Sequence, residues 1–226
     1  MQKKILIVAA HPDDEILGCG GTVARLVKEG FSAYCLILGE GVTSRDKQRD
    51  PKRRQKMLNN LKKHAHKANR IIGVKKLFMY DLPDNRFDSV QFLDIVKIIE
   101  SIKNSIKPHI IFTHHSKDLN IDHQITYKAV ITATRPLVKE TVKEIYSFEV
   151  ISSSEWNFPE VFSPAVFFNI SDTIGLKLKA LKEYKSEIKT WPHPRSLRGV
   201  KICAELWGMK SGLGFAEAFK CVRYMK

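Results

Sequence analysis

The sequence predicts an α/β fold in which a mostly parallel central sheet carries helices on both faces. Three observations predict it. Short apolar runs alternate with longer stretches of helical spacing through the first 140 residues, the first run (5–10) is apolar on both faces as a buried parallel strand requires, and the polar clusters come directly after the runs. With right-handed crossovers, those clusters all fall at the carboxyl edge of the sheet, where open α/β folds bind ligands.

A chain of 226 residues, 43% hydrophobic and 27% charged, is long enough to bury one real core. It is read as a single domain over 1–226. Residues 1–140 form a βα core, and 141–226 add strands and helices that contribute substrate loops.

The first strand, ILIVAA, runs straight into His11, Pro12, Asp13, Asp14 and Glu15. Pro12 fixes its own φ and biases His11 away from helical geometry, so the chain must turn before it coils. Residues 16–28 have helical spacing and end at Gly30, while Cys19, Gly20 and Gly21 would let that helix lie close to the sheet. No GxGxxG spacing is present, which excludes a dinucleotide fingerprint.

Residues 32–38 form the second strand and 39–51 a polar loop with Thr43, Ser44 and Arg45. A helix over 52–72 closes at Gly73, and a third strand over 75–80 runs into a turn-rich loop at 81–86. Residues 90–106 read as an amphipathic helix whose buried stripe is Phe92, Leu93, Val96, Ile99 and Ile102. After Pro108 a fourth strand (109–113) delivers the cluster from His114 to His123; a helix capped by Asp122 follows and stops before Pro136.

The pattern weakens past Glu140. Strands are expected at 144–150 and 165–170, a helix over 173–188 capped by Asp172, a loop at 191–196, a helix over 199–209 and a last edge strand at 215–224.

Composition narrows the function classes. The apolar run after the basic start is too short for a secretory signal, and none approaches the roughly 18–20 residues that cross a bilayer. A cytoplasmic protein without a membrane anchor is expected. Cys19, Cys35, Cys203 and Cys221 form no CxxC and read as reduced core cysteines.

Most of the net charge of +14 sits between Arg45 and Lys76, where 13 lysines and arginines face only Asp46 and Asp50. A solvated helix face or a positive rim that attracts an anionic substrate would account for it. The segment has few aromatics and no binding motif, so no nucleic-acid partner is expected. A homo-oligomer stays open.

The chemistry points to a metal. His with carboxylate is the ligand set of a catalytic zinc site, which uses three protein ligands and leaves a position for water. Either Asp13 or Asp14 alone could equally cap the next helix. His11 and Asp14 need a third ligand, and His123, at the start of a helix on the same edge, can supply it. Such a set puts one negative charge on the ion, which then lowers the pKa of a bound water to about 7. Asp13, unneeded by the metal, is placed to act as general base, and Asp122 to orient a histidine.

AHPDDE at 10–15 and DLNIDH at 118–123 resemble the PIG-L/LmbE-like metal-dependent de-N-acetylases, as do LPDNRFDS at 82–89 and HPRS at 193–196. That family includes N-acetylglucosaminyl-phosphatidylinositol deacetylase and the deacetylases of mycothiol and bacillithiol synthesis. The resemblance implies a Rossmann-like three-layer sandwich and removal of an N-acetyl group from an amino sugar. Zinc is the usual ion, and another divalent ion such as Fe²⁺ is able to replace it. His11, Asp14 and His123 match the family's metal ligands, and Asp13 its general base.

One position departs from the pattern. Members with an HPDH motif carry a histidine three residues before the metal histidine, and here that residue is Asn120. Asn can donate to an oxyanion but cannot titrate, so His114 or His115 could stand in, or Asp13 could act alone; each histidine could equally be a strand-end residue bonded to backbone. Arg45, Arg54, Asp84, Arg86, His193 and Arg195 are the further substrate-side candidates, each of which a surface ion pair or turn would also explain.

The expected function is zinc-dependent removal of the N-acetyl group from an N-acetylhexosamine derivative, a glycoside or nucleotide sugar. Hydrolysis of another small amide, or a non-catalytic sugar- or nucleic-acid-binding role, is the alternative.

Overall fold

The computed structural model describes residues 2–226. Seven strands form one sheet in the order β3-β2-β1-β4-β5-β7-β6: β1 (Lys4–Ala9), β2 (Ser32–Gly39), β3 (Val74–Leu82), β4 (Ile110–His114), β5 (Glu144–Phe148), β6 (Val166–Asn169) and β7 (Ala216–Tyr224). The first five pair in parallel; β7 runs antiparallel to both of its neighbours. Every side chain from Ile5 to Ala10 is buried, as an apolar run without alternation requires.

Alternate residues of β1 feed two cores. Ile5, Ile7 and Ala9 pack with α1 (Asp14–Lys28), α2 (Pro51–Ile71), α5 (Ile174–Glu183) and the start of α6 (Leu197–Ser211). Leu6, Val8 and Ala10 pack on the other side with α3 (Phe92–Ile106) and α4 (Ile121–Ala133). The result is the expected three-layer sandwich. Connections from β1 lead toward β2 on one side and those from β4 toward β5 on the other, so the strand order reverses between β1 and β4. A cleft opens at such a switch point.

Several local expectations are corrected. The last strand is not an edge strand: β7 inserts between β5 and β6, burying Ala216 to Phe219, and β6 takes the edge. The opposite edge, β3, exposes Lys75 and Lys76, a common guard against strand addition. The buried stripe of α3 is Ile95, Val96, Ile99, Ile102 and Ile106; Phe92 and Leu93, in its first turn, are exposed. Thr173, not Asp172, precedes α5, which stops at Glu183 because Tyr184 turns inward and is fully buried. Cys203 is only half-buried and Cys221 exposed; Cys19 and Cys35 are buried, and burial pushes both thiols up.

Close packing of α1 comes from Gly18 and Gly21 rather than Gly20. A Cβ on Gly18 would lie 2.2 Å from the Phe148 ring and one on Gly21 2.9 Å from Ile170, whereas one on Gly20 meets only Ile16 of its own helix, at 3.1 Å. At the same stretch, a buried ion pair reaches into α1. Glu217 accepts from the N–H of Gly21 (2.9 Å) and of Thr22 (2.6 Å), while Lys177 donates to Glu217 and to the Leu17 carbonyl (2.7 Å). Two side chains from the last third of the chain thus share hydrogen bonds with the backbone of the first helix.

The basic segment 45–76 lies mostly on α2, whose lysines and arginines are largely exposed or half-buried. No helix among the described residues is long and apolar enough to cross a membrane.

Candidate metal centre and active site

The first strand is locked where it ends. The Gly39 N–H donates to the Ala10 carbonyl (2.7 Å), and the Ala10 N–H donates to His114 Nε2 (2.8 Å). The turn then folds on itself: the His11 N–H donates to Asp14 Oδ2 (2.8 Å), and α1 starts at Asp14. Asp13 holds a φ of 110°, a region that non-glycine residues rarely adopt and that tends to occur at functional sites. Its N–H donates to Glu15 Oε2 (3.0 Å), and its carboxylate accepts from Arg195 Nη1 (3.1 Å). Glu15 is in turn fixed by Asn69 and by the Tyr184 hydroxyl, and burial raises its pKa to about 7.

His11, Asp14 and His123 converge from β1 and α4, with one donor atom of each within 4.8 Å of the others. His11 Nδ1 lies 3.4 Å and His123 Nε2 3.3 Å from Asp14 Oδ2. The outer nitrogen of each ring meets a buried carboxylate: His11 Nε2 is 2.9 Å from Asp122 Oδ2, and His123 Nδ1 is 3.0 Å from Asp118 Oδ1. Asp122 also accepts from the Phe87 N–H (2.9 Å). Asp118 accepts from the Asn120 N–H (2.9 Å) and from the hydroxyls of Ser153 and Ser154. Carboxylates behind histidines fix tautomer and orientation in metal sites.

The electrostatics follow from these contacts. Burial opposes charge on all four groups. Even so, Asp122 and Asp14 hold His11 well above the ordinary histidine range, and Asp14 with Asp118 lifts His123 to about 9. His123 in turn holds Asp14 well below the carboxylate range and, with the two serines, Asp118 at about 2. Asp13 goes the other way, since burial raises it more than Arg195 lowers it.

Three atoms of the set lack hydrogen-bond partners among the described residues. Asp14 Oδ1 and both ring nitrogens of His123 are buried and orphaned, although Nδ1 lies 3.0 Å from the Asp118 carboxylate. Buried polar atoms are normally paired, and an unpaired carboxylate oxygen and an unpaired imidazole nitrogen on neighbouring side chains fit a divalent cation. A second possible set shares His11 with Asp84 and Asp122. It fits less well, since Asp122 is occupied as described and Asp84 Oδ2 already accepts from the Ser44 N–H (3.0 Å) and hydroxyl (2.6 Å).

The remaining candidates divide by position. Arg195 and Asp84 border the set, with Asp84 Oδ1 3.4 Å from His11 Nε2. His193 accepts the Arg195 N–H at Nδ1 (3.1 Å) and so shapes the loop that presents the guanidinium. His114 is fully buried, stacked on His123 at 3.9 Å, with burial and His123 holding it neutral; its contacts support the turn. His115 points elsewhere, edge-on to Phe162, with its pKa lowered to about 4 by burial and by Lys220. Arg45 pairs with Glu187 and Arg54 with Asp46, while Arg86 makes no ion pair among the described residues.

Asn120, not Asp122, caps α4: its Oδ1 accepts from the Asp122 N–H (2.9 Å) and its Nδ2 donates to Asn85 Oδ1 (2.7 Å). Asp122 thereby sits in the first helical turn, aimed at His11. Sequence reasoning gave no role to Asp118, Ser153, Ser154, Glu15 or Tyr184. Only Asp118 and Glu15 carried a signal, as members of the two motifs.

Comparison with known proteins agrees with this geometry. The family described as GlcNAc-PI de-N-acetylase (PIG-L) matches residues 6–134. An uncharacterized deacetylase of Escherichia coli K12, YaiS, is 31% identical over 191 residues, 82% of this chain and 92% of that protein. A probable N-acetyl-alpha-D-glucosaminyl L-malate deacetylase 2 of Bacillus cereus is 27% identical over 191 residues, 83% of this chain and 84% of that one. Among solved structures, the N,N'-diacetylchitobiose deacetylase of Pyrococcus horikoshii superposes with a TM-score of 0.77 at 19% identity, covering 98% of this chain and 84% of that one. The 4-carboxy-2-hydroxymuconate hydratase GalB of Pseudomonas putida does so with 0.75 at 19%, covering 98% and 96%, so the fold alone does not select the reaction. With the family match spanning more than half its length and a deacetylase 31% identical across most of it, this chain belongs to the PIG-L family of GlcNAc-PI de-N-acetylases and is an amide-hydrolysing enzyme.

Proposed function

We propose that the chain removes the N-acetyl group from an N-acetylglucosamine-type glycoside or nucleotide sugar, with zinc held by His11, Asp14 and His123. The observation that carries this reading is the pairing of an orphaned donor set with a buried carboxylate, Asp13, that lies beside it but outside it. Zinc bound there supplies Lewis acidity toward the amide carbonyl and the attacking water.

The protein's own groups do the rest. Asp13, one oxygen held by Arg195, takes a proton from the attacking water; as the amide C–N bond breaks, it returns a proton to the nitrogen, releasing acetate and the free amine. Its raised pKa brings it nearer the working pH of a general base. Asn120 cannot titrate, and its oxygen caps the helix while its Nδ2 donates to Asn85, so the acid step falls to Asp13. Asp122 and Asp118 keep the two histidines aimed at Asp14.

Acetate release from a panel of N-acetylglucosamine glycosides, phosphates and nucleotide sugars, with added Zn²⁺ and again with a chelator, tests the proposal. Release that the chelator stops is expected. No release from any of them, with metal shown to be bound, would overturn the deacetylase assignment and favour another substrate, including the hydration chemistry of the hydratase that shares the fold.

A further inference from the structure

Beside α4 a hollow of about 380 Å³ opens over β5 and β7. Ser147 and Lys220 are direct partners across that antiparallel pair, so their side chains share one face of the sheet, whereas their neighbours Tyr146, Phe148 and Phe219 join the core on the other. His115 from just past β4, Tyr127 from α4, and Ser116 and Ser163 from loops complete the polar lining. No carboxylate lines it.

The hydrogen-bonding capacity of these groups is unused. None of the six side chains makes a hydrogen bond among the described residues, although Ser147 is 1% and His115 4% exposed, depths at which polar groups are normally paired. Lys220 stands out among the lysines. Of the five that are buried or half-buried, Lys62, Lys103 and Lys177 pair with Asp81, Glu140 and Glu217, and Lys4 donates to the Ile106 carbonyl (2.9 Å); Lys220 alone has no partner among the described residues. A half-buried cation left unpaired carries a desolvation cost that an anion offsets.

The acids close enough to act on His115 are committed elsewhere. Glu160 pairs with Lys117 (2.7 Å), and Asp118 is held by His123 and two serines. Burial and Lys220 keep His115 neutral, which leaves one ring nitrogen to donate and one to accept.

We propose that this hollow is a second binding site, for a small molecule carrying a phosphate or carboxylate group on a sugar-sized body, with Lys220 as the charge partner and His115 and the hydroxyls as donors. One cation, five neutral donors and no carboxylate favour acceptor oxygens, and the volume exceeds what a bare ion fills. The site is independent of the deacetylase reading, since none of its lining residues belongs to the candidate metal set. The two adjoin through the backbone, where the Asp118 N–H donates to the His115 carbonyl (3.3 Å).

The test is calorimetric titration of the metal-loaded full chain with glucose 6-phosphate, with glucuronate and, as the neutral control, with glucose, each repeated in chelator. One or both anions should bind where glucose does not, and the tighter of the two tells phosphate from carboxylate. Binding should survive the chelator. Lys220→Gln should weaken it ~10-fold or more, as expected for loss of a charged hydrogen-bond partner. Ser163→Trp, which fills the hollow from its exposed rim, should block binding with Lys220 intact. Lys117→Gln, the same charge change on an exposed lysine outside the lining, should leave it nearly unchanged.

No binding of either anion, binding that glucose matches, a Ser163→Trp protein that binds as before, or equal losses in Lys117→Gln and Lys220→Gln would each overturn the site. Binding that the chelator abolishes would do so too, by giving the anion to the metal centre. Acetate release is read separately, so the deacetylase reading stands or falls on its own.

Discussion

Replacing Asp118 by Asn isolates the carboxylate behind His123. The change keeps the shape of the side chain and removes its charge, leaving the Ser153 and Ser154 hydroxyls and the Asn120 N–H with one acceptor oxygen instead of two. Burial alone would depress His123, yet its pKa stands at about 9 against an ordinary 6.5, a net preference for positive charge of about 3 kcal/mol. Asp14 raises it most and the Asp118 carboxylate, 3.0 Å from Nδ1, raises it further, so removing the Asp118 charge makes the ring less basic. A cation at Nε2 draws on the same lone pair as a proton. Zn²⁺ affinity should therefore fall by roughly 10- to 100-fold, the usual cost of losing a carboxylate that orients a ligand. Competition titration against a chelating dye measures the affinity, and acetate release at saturating Zn²⁺ shows whether activity returns. Unchanged affinity in a folded Asp118→Asn protein would refute the orienting role and the assignment of His123 as a ligand.

Three further outcomes are expected. Asp13→Asn should lower turnover by about 10²- to 10⁴-fold with bound zinc unchanged, read by acetate release and metal analysis on the same sample; loss of the metal instead would place Asp13 among the ligands. Gly18→Ala should cost about 1–3 kcal/mol in urea unfolding, because the new methyl lands 2.2 Å from the buried Phe148 ring; a neutral result would mean that α1 can shift freely on the sheet. Burial lifts Glu15 from the usual 4.5 to about 7, so the folded state binds the extra proton between those values and the stability it adds is lost as pH rises through 7. In chelator, Glu15→Gln should flatten that slope, with up to about 3 kcal/mol at stake, and parallel stability curves for variant and wild type would contradict the raised pKa.

The parts of the site within one short loop were legible, and those built by distant segments were not. An apolar run followed by His11 to Glu15 announces a strand end with candidate ligands, and the reversal of strand order between β1 and β4 then brings in His123. Asp118 is in plain view beside the second motif, yet its role depends on Ser153 and Ser154, which pack against it from 35 and 36 residues away. Glu15 likewise meets Tyr184 across 169 residues, and nothing in the local spacing of either predicts that contact. The misread helix face at Phe92 and Leu93 and the misplaced β7 share one cause. Periodicity reports which residues can be buried together, whereas the neighbour that buries them is decided by topology.

The contact of Lys177 and Glu217 with the middle of α1 sets an order on synthesis. The helix that carries Asp14 and Glu15 borrows hydrogen-bond partners from residues made 160 to 196 positions later. While the chain is still emerging from the ribosome, the two motifs are already complete, yet the helix that begins at Asp14 has donors and a carbonyl still to be paired. The scaffold of the site is thus finished only once Glu217 has been added, and a nascent chain stalled before it carries every proposed metal ligand on an unfinished support.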